Sequence, residues 1–414
     1  MAKIKPFKAI RPRKDLAAKI AALPYDTVSS KEAREITKNN PYSFLHIDRA
    51  EIDLPEDIDV YDKKVYEKAR DNLNQMIDNK EFIQDSRENF YIYRQIMNGR
   101  SQTGLVICAS VDDYINNVIK KHEFTRKDKE IDRINHVDYC NANTGPIFLT
   151  YRENEEISKI IDEWTLKTPE YDFKSEDGVS QIVWVVDDDK TIKRLEELFS
   201  NIDSLYIADG HHRSASAVEV SKMRRKENPE YTGEEEFNYF LAVAFRDRDL
   251  YVMDYNRVVK DLGEFTEKEF LKEVSKDFEI SLYDGEGGYK PNKKHTFGMY
   301  LNNKWYILKA KDGSFNENHP IYRLDVSILQ ENLLKKILKI GDIRTSDRID
   351  FIGGIRGINE LELRVNKGMK LAFSMYPTEI QDVMDVADIG EVMPPKSTWF
   401  EPKLRSGLFI HKLK

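Results

Sequence analysis

The chain has 414 residues, of which 40% are hydrophobic and 33% are charged, and its formal net charge is −8. This length allows about two to three domains with substantial hydrophobic cores. The acidic balance argues against a general nucleic-acid-binding protein, which would show a basic domain or stripe. Cys108 and Cys140 lack the spacing of a disulfide framework or a thiolate zinc site, and no apolar run is long enough to span a bilayer. We therefore expect a soluble cytoplasmic protein that does not contact a membrane.

The first hundred residues alternate between short strands and helices. "IKPFKAIRPR" predicts an edge strand that prolines interrupt. "SSKEAREIT" predicts a helix that Ser29 or Ser30 caps, "YSFLHID" predicts a strand, and residues 61–80 have apolar positions at helical spacing. Asn98-Gly99 lies between two apolar stretches, which strongly indicates a β-hairpin.

The remainder of the chain mixes helices with further strands. Residues 111–145 are polar, and their spacing is typical of helices. "PIFLTY" and "SQIVWVV" predict strands on either side of a helix near 155–166. A second hairpin is predicted at Asn302-Asn303. Helices interspersed with hairpins favour an α+β fold with mixed sheets over a doubly wound fold. We place a domain boundary near residue 250, which gives domains 1–250 and 251–414.

The stretch "SLYIADGHHRSASA" contains the strongest candidate for a binding site. Gly210 permits a sharp turn from a strand into a helix, whose first amides point outward and attract an anion. Arg213 adds a planar donor fork for phosphate oxygens, His211 and His212 can donate from their rings, and Asp209 can orient a histidine or hold a metal ion. The alternative is a helix that Asp209 caps, with exposed basic residues beside it. Zinc is disfavoured because the adjacent histidines point to different sides.

These residues also carry a resemblance to known families. "ADGHHRSASA" resembles the second signature box of the ParB/sulfiredoxin-like superfamily, and its DGHHR form resembles the free serine kinases of that superfamily. Along nearly its whole length the chain resembles the bacterial DUF1015 family, through "LPYDTVS", "HEFT", "NANTGPIF", "ADGHHR", "DYNRVV" and "GEVMPPKSTWFEPKLRSGL". The resemblance implies a ParB/sulfiredoxin-like nucleotide-binding core with helical insertions within 1–250 and a C-terminal α+β portion. Ser214 stands where many members have an aromatic residue.

The resemblance also suggests which residues act in catalysis. In the free serine kinases an acid near the N-terminus deprotonates the substrate hydroxyl, so Asp26 is our first candidate for the base and Glu123 the second. His122 and Glu123 suit proton transfer or magnesium–phosphate chemistry, and His212 would help Arg213 to neutralise the transferring group. The simpler interpretation is that Asp26 bonds its own turn and that "HEFT" is a solvated helix start.

Three further segments carry polar groups that suit ligand binding. Asn143 and Thr144 in "NANTGPIF" either bind a ribose, a base edge or a phosphate, or only shape a turn. Arg257 in "DYNRVV" reaches either an acidic ligand or an exposed carboxylate. The C-terminal tail places basic and hydroxyl side chains beside aromatic ones, which predicts a wall that binds a carboxylate or phosphate. Its candidate substrate-binding residues are Lys396, Ser397, Thr398, Lys403 and Arg405.

Together these features predict a small-molecule phosphotransferase that acts between an adenine nucleotide, ATP or ADP, and L-serine or O-phosphoserine with Mg²⁺. Asp209 and Glu123 are the candidate magnesium ligands. The alternatives are a ParB-like nucleotide-binding regulator and a phosphoserine phosphatase. The predicted partners are the nucleotide and a small-molecule substrate, and we expect no nucleic-acid partner. The sequence leaves open whether the chain forms a homo-oligomer.

Overall fold

The computed structural model describes all 414 residues, from Met1 to Lys414. The chain forms two compact units. The first unit comprises Met1–Lys121, Thr125–Leu250 and Pro402–Lys414, and the second comprises His122–Phe124 and Tyr251–Glu401. The C-terminal residues thus return to the first unit after the chain has built the second. The assignment of a nucleotide-binding core to residues 1–250 stays a prediction.

Short strands dominate the architecture of both units, and thirteen α-helices accompany them. The strands are β1 (Ile4–Lys5), β2 (Ile10–Pro12), β3 (Phe82–Gln84), β4 (Phe90–Met97), β5 (Arg100–Ser110), β6 (Ile119–Lys120), β7 (Ala142–Asn143), β8 (Ile147–Tyr151), β9 (Tyr171–Lys174), β10 (Ser180–Val186), β11 (Leu205–Asp209), β12 (Tyr239–Arg246), β13 (Val252–Met253), β14 (Tyr255–Val259), β15 (Phe278–Leu282), β16 (Thr296–Leu301), β17 (Lys304–Ala310), β18 (Ile349–Gly353), β19 (Leu371–Ser374), β20 (Trp399–Phe400) and β21 (His411–Lys412).

The helices vary from one turn to almost five turns. They are α1 (Ala17–Ile20), α2 (Ser30–Thr37), α3 (Leu45–Asp48), α4 (Lys63–Asp78), α5 (Val111–Ile115), α6 (Lys127–Cys140), α7 (Glu155–Trp164), α8 (Asp189–Phe199), α9 (His211–Glu227), α10 (Glu267–Val274), α11 (Asp325–Leu329), α12 (Asn359–Asn366) and α13 (Ile380–Asp388). A π-helix over Gln330–Lys335 follows α11. None of these helices is long and apolar enough to cross a membrane.

A nine-stranded mixed sheet forms the centre of the first unit. Eight strands follow the order β6-β11-β8-β12-β5-β4-β10-β9, and β1 pairs with β5. Strand β12 lies parallel to β8 and antiparallel to β5, and β11 lies parallel to β6 and antiparallel to β8. One face of this sheet buries a large apolar core together with α7, α8 and α9. The mixture of parallel and antiparallel pairs with helices confirms the α+β fold class.

The second unit contains a six-stranded antiparallel sheet in the order β15-β17-β16-β19-β14-β18. Its apolar cluster includes Val258, Tyr300, Trp305, Ile352 and Leu361, which lie on the sheet and on α12. The short strands β13 and β20 pair separately, so that Met253 lies opposite Trp399. This pairing attaches Trp399 and Phe400 to the residues that directly precede β14.

Local sequence signals predicted several elements correctly. Asn98 and Gly99 both have positive φ, as do Asn302 and Asn303, and each pair connects antiparallel strands as a two-residue hairpin turn. Ser29 caps α2 in a capping box with Glu32.

The strand predicted for "YSFLHID" is wrong. Residues 45–48 form the helix α3, and the buried side chains of Phe44, Leu45 and Ile47 follow helical spacing. These side chains pack in an apolar cluster with residues of α4. Distant packing therefore decides the conformation of this segment, because so short a helix is marginal by itself.

Candidate active site

A glycine turn joins β11 to α9 in the first unit. Gly210 has φ +93° and ψ 30°, a left-handed conformation that favours glycine, and it is the N-cap residue of α9. No side chain caps the helix start, because Asp209 Oδ1 accepts the Gly210 N–H at 2.8 Å instead. The positive end of the helix dipole therefore lies at a turn that has no capping side chain of its own.

The Arg213 side chain folds back over this turn. A Cβ atom built on Gly210 would lie 3.3 Å from Arg213 Nε, and one built on Gly145 would lie 3.5 Å from Arg213 Nη1. Arg213 Nη1 donates to the Pro146 carbonyl at 2.6 Å. The structure gives Nε and Nη2 no protein acceptor, so part of the donor fork is available to a ligand. Two glycines thus admit the guanidinium close to the backbone.

A lysine from the C-terminal tail holds the other side of the turn. Lys403 Nζ contacts Asp209 Oδ2 at 2.7 Å. Burial tends to raise the pKa of Asp209, but Lys403 and Arg213 outweigh it, so the pKa lies below its usual value. Gln95 Nε2 donates to the Lys403 carbonyl at 2.9 Å, and Gln95 is completely buried. The large sheet therefore fixes the backbone that carries Lys403.

A narrow cleft of about 20 Å³ lies beside Arg213. Its interior is tight, with room for about one water molecule between the side chains. A bulky ligand group would therefore have to displace a side chain from the wall. The lining residues are Tyr25, Asp48, Arg133, His136, Val137, Asn143, Thr144, Gly145, Ile147, Arg213, Ser216 and Ser406.

Buried polar side chains form the deep wall of the cleft. The Arg133 guanidinium lies 4.0 Å from the centre of the Tyr25 ring, and Thr144 Oγ1 donates to Asp48 Oδ1 at 3.1 Å. Burial is the main cause that lowers the pKa of His136, and the positive charge of Arg133 lowers it further. The sequence interpretation did not single out Tyr25, Asp48, Arg133 or His136. The i,i+3 spacing of Arg133 and His136 on α6 was the one signal that could have found a pair of them.

His212 connects the turn to the start of α6. Its Nε2 accepts the Arg126 N–H at 3.0 Å, and Arg126 is the N-cap residue of α6. Burial lowers the pKa of His212, whereas the charges of Asp26 and Glu130 raise it in part. A neutral ring fits this arrangement, because a protonated Nε2 could not accept. Asp26 is exposed, and its role as the base stays a prediction.

The predicted ligand-binding residues Asn143 and Thr144 both line the cleft, but Asn143 has a structural task as well. Its Oδ1 accepts the Leu241 N–H and contacts His411 Nδ1, each at 3.2 Å. These bonds tie β7 to β12 and to β21. A ligand can therefore use only the remaining amide donors of Asn143.

The side chains of Ser214 and Arg405 are engaged within the protein. Ser214 is fully buried, and its hydroxyl donates to the carbonyl of His211, which is itself buried. Arg405 pairs with Asp177, although Arg405 Nε is buried without an acceptor. Their predicted roles in phosphate and substrate binding stay predictions.

The other predicted residues belong to the second unit. His122 is buried, and its carbonyl accepts the Met393 N–H at 2.8 Å, while Glu123 follows it in the same short segment. Lys396 is exposed, Ser397 is buried, and Thr398 is half-buried. Their roles in catalysis and substrate binding stay predictions.

A comparison with known proteins assigns the chain to a family. The model described as "Protein of unknown function (DUF1015)" matches residues 4–327, so the chain belongs to the DUF1015 family. No curated protein gives a significant match. A solved free serine kinase mutant in complex with ADP is 17% identical, with a TM-score of 0.35 over 74% of this chain and 92% of that chain. A conserved hypothetical protein from Pyrococcus furiosus is 15% identical, with a TM-score of 0.35 over 74% and 94%.

Proposed function

We propose that this DUF1015 protein is a phosphotransferase that moves a phosphoryl group between an adenine nucleotide and L-serine or O-phosphoserine. The observation that carries this proposal is the 209–213 turn. There, an uncapped helix start lies beside an arginine whose Nε and Nη2 have no protein acceptor. Such a site suits the phosphates of a nucleotide, because backbone amides and a guanidinium fork together bind anionic oxygens.

The proposed reaction needs two contributions from the chain, a base and a positive charge. The serine hydroxyl oxygen attacks the terminal phosphorus of ATP or ADP, the bond from that phosphorus to the nucleotide breaks, and Asp26 takes the hydroxyl proton. Arg213 stabilises the negative charge that develops on the transferring group. The exposed position of Asp26 suits a base that must meet an incoming substrate.

The geometry does not suit Asp209 as a magnesium ligand. Its Oδ1 accepts the Gly210 N–H and its Oδ2 contacts Lys403, so both carboxylate oxygens are engaged. A cation at this carboxylate would also meet the positive charge of Lys403. We therefore assign no step of the reaction to a metal that Asp209 holds.

An exchange experiment tests the proposal. Purified protein is incubated with O-phosphoserine and ADP, with serine and ATP, and with serine and ADP, and ³¹P NMR follows each mixture. We expect phosphate to appear on the partner molecule in at least one mixture. The absence of exchange in all three would refute the proposal.

The same spectra separate transfer from hydrolysis. Inorganic phosphate released from O-phosphoserine without a nucleotide would identify a phosphatase. An exposed arginine on α8, Arg194, provides the control. Arg194→Ala should keep the exchange rate, whereas Arg213→Ala should abolish exchange.

A further inference from the structure

One arginine of the second unit is buried without an opposite charge. Arg257 lies in the interior strand β14, opposite Phe351 of β18 and Phe373 of β19. Only 2% of its surface is exposed. Burying an ion without a counter-charge is costly, so such a residue calls for a physical reason.

The other buried arginines show what is missing at Arg257. Four further arginines are buried to a similar degree, and each forms an ion pair with a carboxylate. These pairs are Arg11–Asp85, Arg133–Asp132, Arg246–Asp249 and Arg405–Asp177. Arg257 forms no ion pair, and burial lowers the pKa of its guanidinium to about 10. The charge therefore lacks the compensation that the chain provides elsewhere.

The donors of Arg257 are only partly used. Its Nη2 donates to the Lys396 carbonyl at 3.0 Å, whereas its Nη1 is buried with no hydrogen-bond acceptor. The Phe351 ring centre lies 5.5 Å from the guanidinium carbon and offers weak compensation. An orphaned N–H on a charged group that also lacks an ion pair leaves a strong donor available to an anionic oxygen.

A second cation belongs to the residue whose carbonyl accepts from Arg257 Nη2. Lys396 has φ +61°, a left-handed backbone that is uncommon outside glycine, and its side chain is exposed. Its ammonium lies 5.7 Å from the centre of the Tyr255 ring, two residues before Arg257 on β14. The turn is held by the Ser397 hydroxyl, which donates to the Pro394 carbonyl at 2.5 Å.

We propose that Arg257 and Lys396 form an anion site in the second unit that takes the phosphate group of a small phosphorylated molecule. Two cations match the double negative charge of a phosphate monoester better than the single charge of a carboxylate, and the arginine fork fits its oxygens. This inference rests on the second unit alone, so it holds or fails independently of the nucleotide site on the 209–213 turn.

The test measures the Tm of the full chain at increasing concentrations of inorganic phosphate. All variants carry Arg213→Ala, so that the 209–213 turn contributes little. We expect a saturable rise in Tm for this parent protein and a loss of at least tenfold in phosphate affinity on Arg257→Met. The exposed Arg356 provides the control, and Arg356→Met should respond like the parent. O-Phosphoserine and AMP, titrated in the same way, distinguish a phosphorylated amino acid from a nucleotide as the source of the group.

A second variant guards against loss of folding. Lys396→Gly relieves the left-handed backbone and removes the ammonium, so it should fold at least as well as the parent and bind phosphate more weakly. A parent protein whose Tm does not respond to phosphate would overturn the proposal. An equal rise in Tm with phosphate in Arg257→Met and in the parent would also overturn it. So would a Tm that rises saturably with acetate but not with phosphate.

Discussion

Arg213 acts through its position as much as through its charge. Gly210 and Gly145 let its guanidinium lie against the backbone, where Nη1 is held by the Pro146 carbonyl. Because the cleft is tight, a nucleotide phosphate has to draw Arg213 away from Gly210 or bind along its outer edge. Either way, the charge of the guanidinium stays beside the ligand.

Replacement of Arg213 should weaken nucleotide binding. Arg213→Ala deletes a charge-assisted contact that is worth about 1.5–3 kcal/mol, so we expect at least a tenfold loss of affinity for ADP. Isothermal titration calorimetry measures this loss, and Arg194→Ala should bind ADP as tightly as the wild type. Unchanged affinity in Arg213→Ala would place the phosphates elsewhere.

Asp26 should affect turnover more than binding. Asp26→Asn preserves the size of the side chain but removes the proton acceptor, so we expect kcat to fall by about 10²-fold or more while the affinity for ADP is nearly unchanged. Steady-state kinetics of the exchange reaction check this. Asp57, an exposed acid in the turn before α4, serves as the matched control through Asp57→Asn. A fully active Asp26→Asn would make Glu123 the better candidate for the base.

At the scale of elements, the bond between His212 and the start of α6 makes stability depend on pH. The pKa of His212 is lower in the folded chain than its ordinary value of 6.5. The stabilisation is therefore fully present above pH 6.5, and it is lost as the pH falls through the folded-state pKa. In His212→Gln, an amide oxygen can replace the ring nitrogen as acceptor without titrating.

We expect the free energy of unfolding of the wild type to fall more between pH 7 and pH 5 than that of His212→Gln, as urea denaturation would show. His46 provides a control of opposite sign. Its bond to Asp53 raises its pKa, so its stabilisation is present at low pH and lost as the pH rises through the folded-state pKa. His46→Gln should therefore steepen the loss of stability on acidification. Parallel pH curves for the wild type and His212→Gln would contradict the prediction.

The elements also show which features could be predicted from the sequence. The hairpins at Asn98-Gly99 and Asn302-Asn303, and the glycine turn at Gly210, depend on the residues at the turn itself, so a local pattern is sufficient. The helix α3 depends on packing against α4, which no local pattern contains. The cleft draws Tyr25, Asp48 and Arg133 from separate segments, and only the folded chain brings them together.

At the scale of the whole molecule, the part of the C-terminal tail from Pro402 to Lys414 belongs to the first unit and contributes to its core. Leu408, Phe409 and Ile410 are completely buried, and the Phe409 ring lies 5.3 Å from that of Tyr91 and 5.9 Å from that of Tyr93. The backbone of Ile410 pairs with that of Ile10, and β21 pairs with β7. The tail is thus an integral layer of the unit that also positions Lys403.

Loss of the Phe409 ring should destabilise the first unit strongly. Phe409→Ala leaves a cavity in a well-packed core, so we expect a loss of about 3–5 kcal/mol in the free energy of unfolding. Chemical denaturation followed by circular dichroism measures this loss. Phe124 is 70% exposed, so Phe124→Ala should change the same quantity by less than about 0.5 kcal/mol. Equal effects of the two substitutions would show that the tail is not part of the core.

The return of residues 402–414 to the first unit also sets an order of events during synthesis on the ribosome. The segment 251–401, which builds most of the second unit, emerges before the last layer of the first unit is available. A nascent chain shorter than about 400 residues therefore exposes the uncovered face of the large sheet, including Gln95 and Tyr91, to water and to chaperones. Lys403 reaches Asp209 only when translation has passed it, so the 209–213 turn acquires this ion pair after the segment that builds most of the second unit has been made.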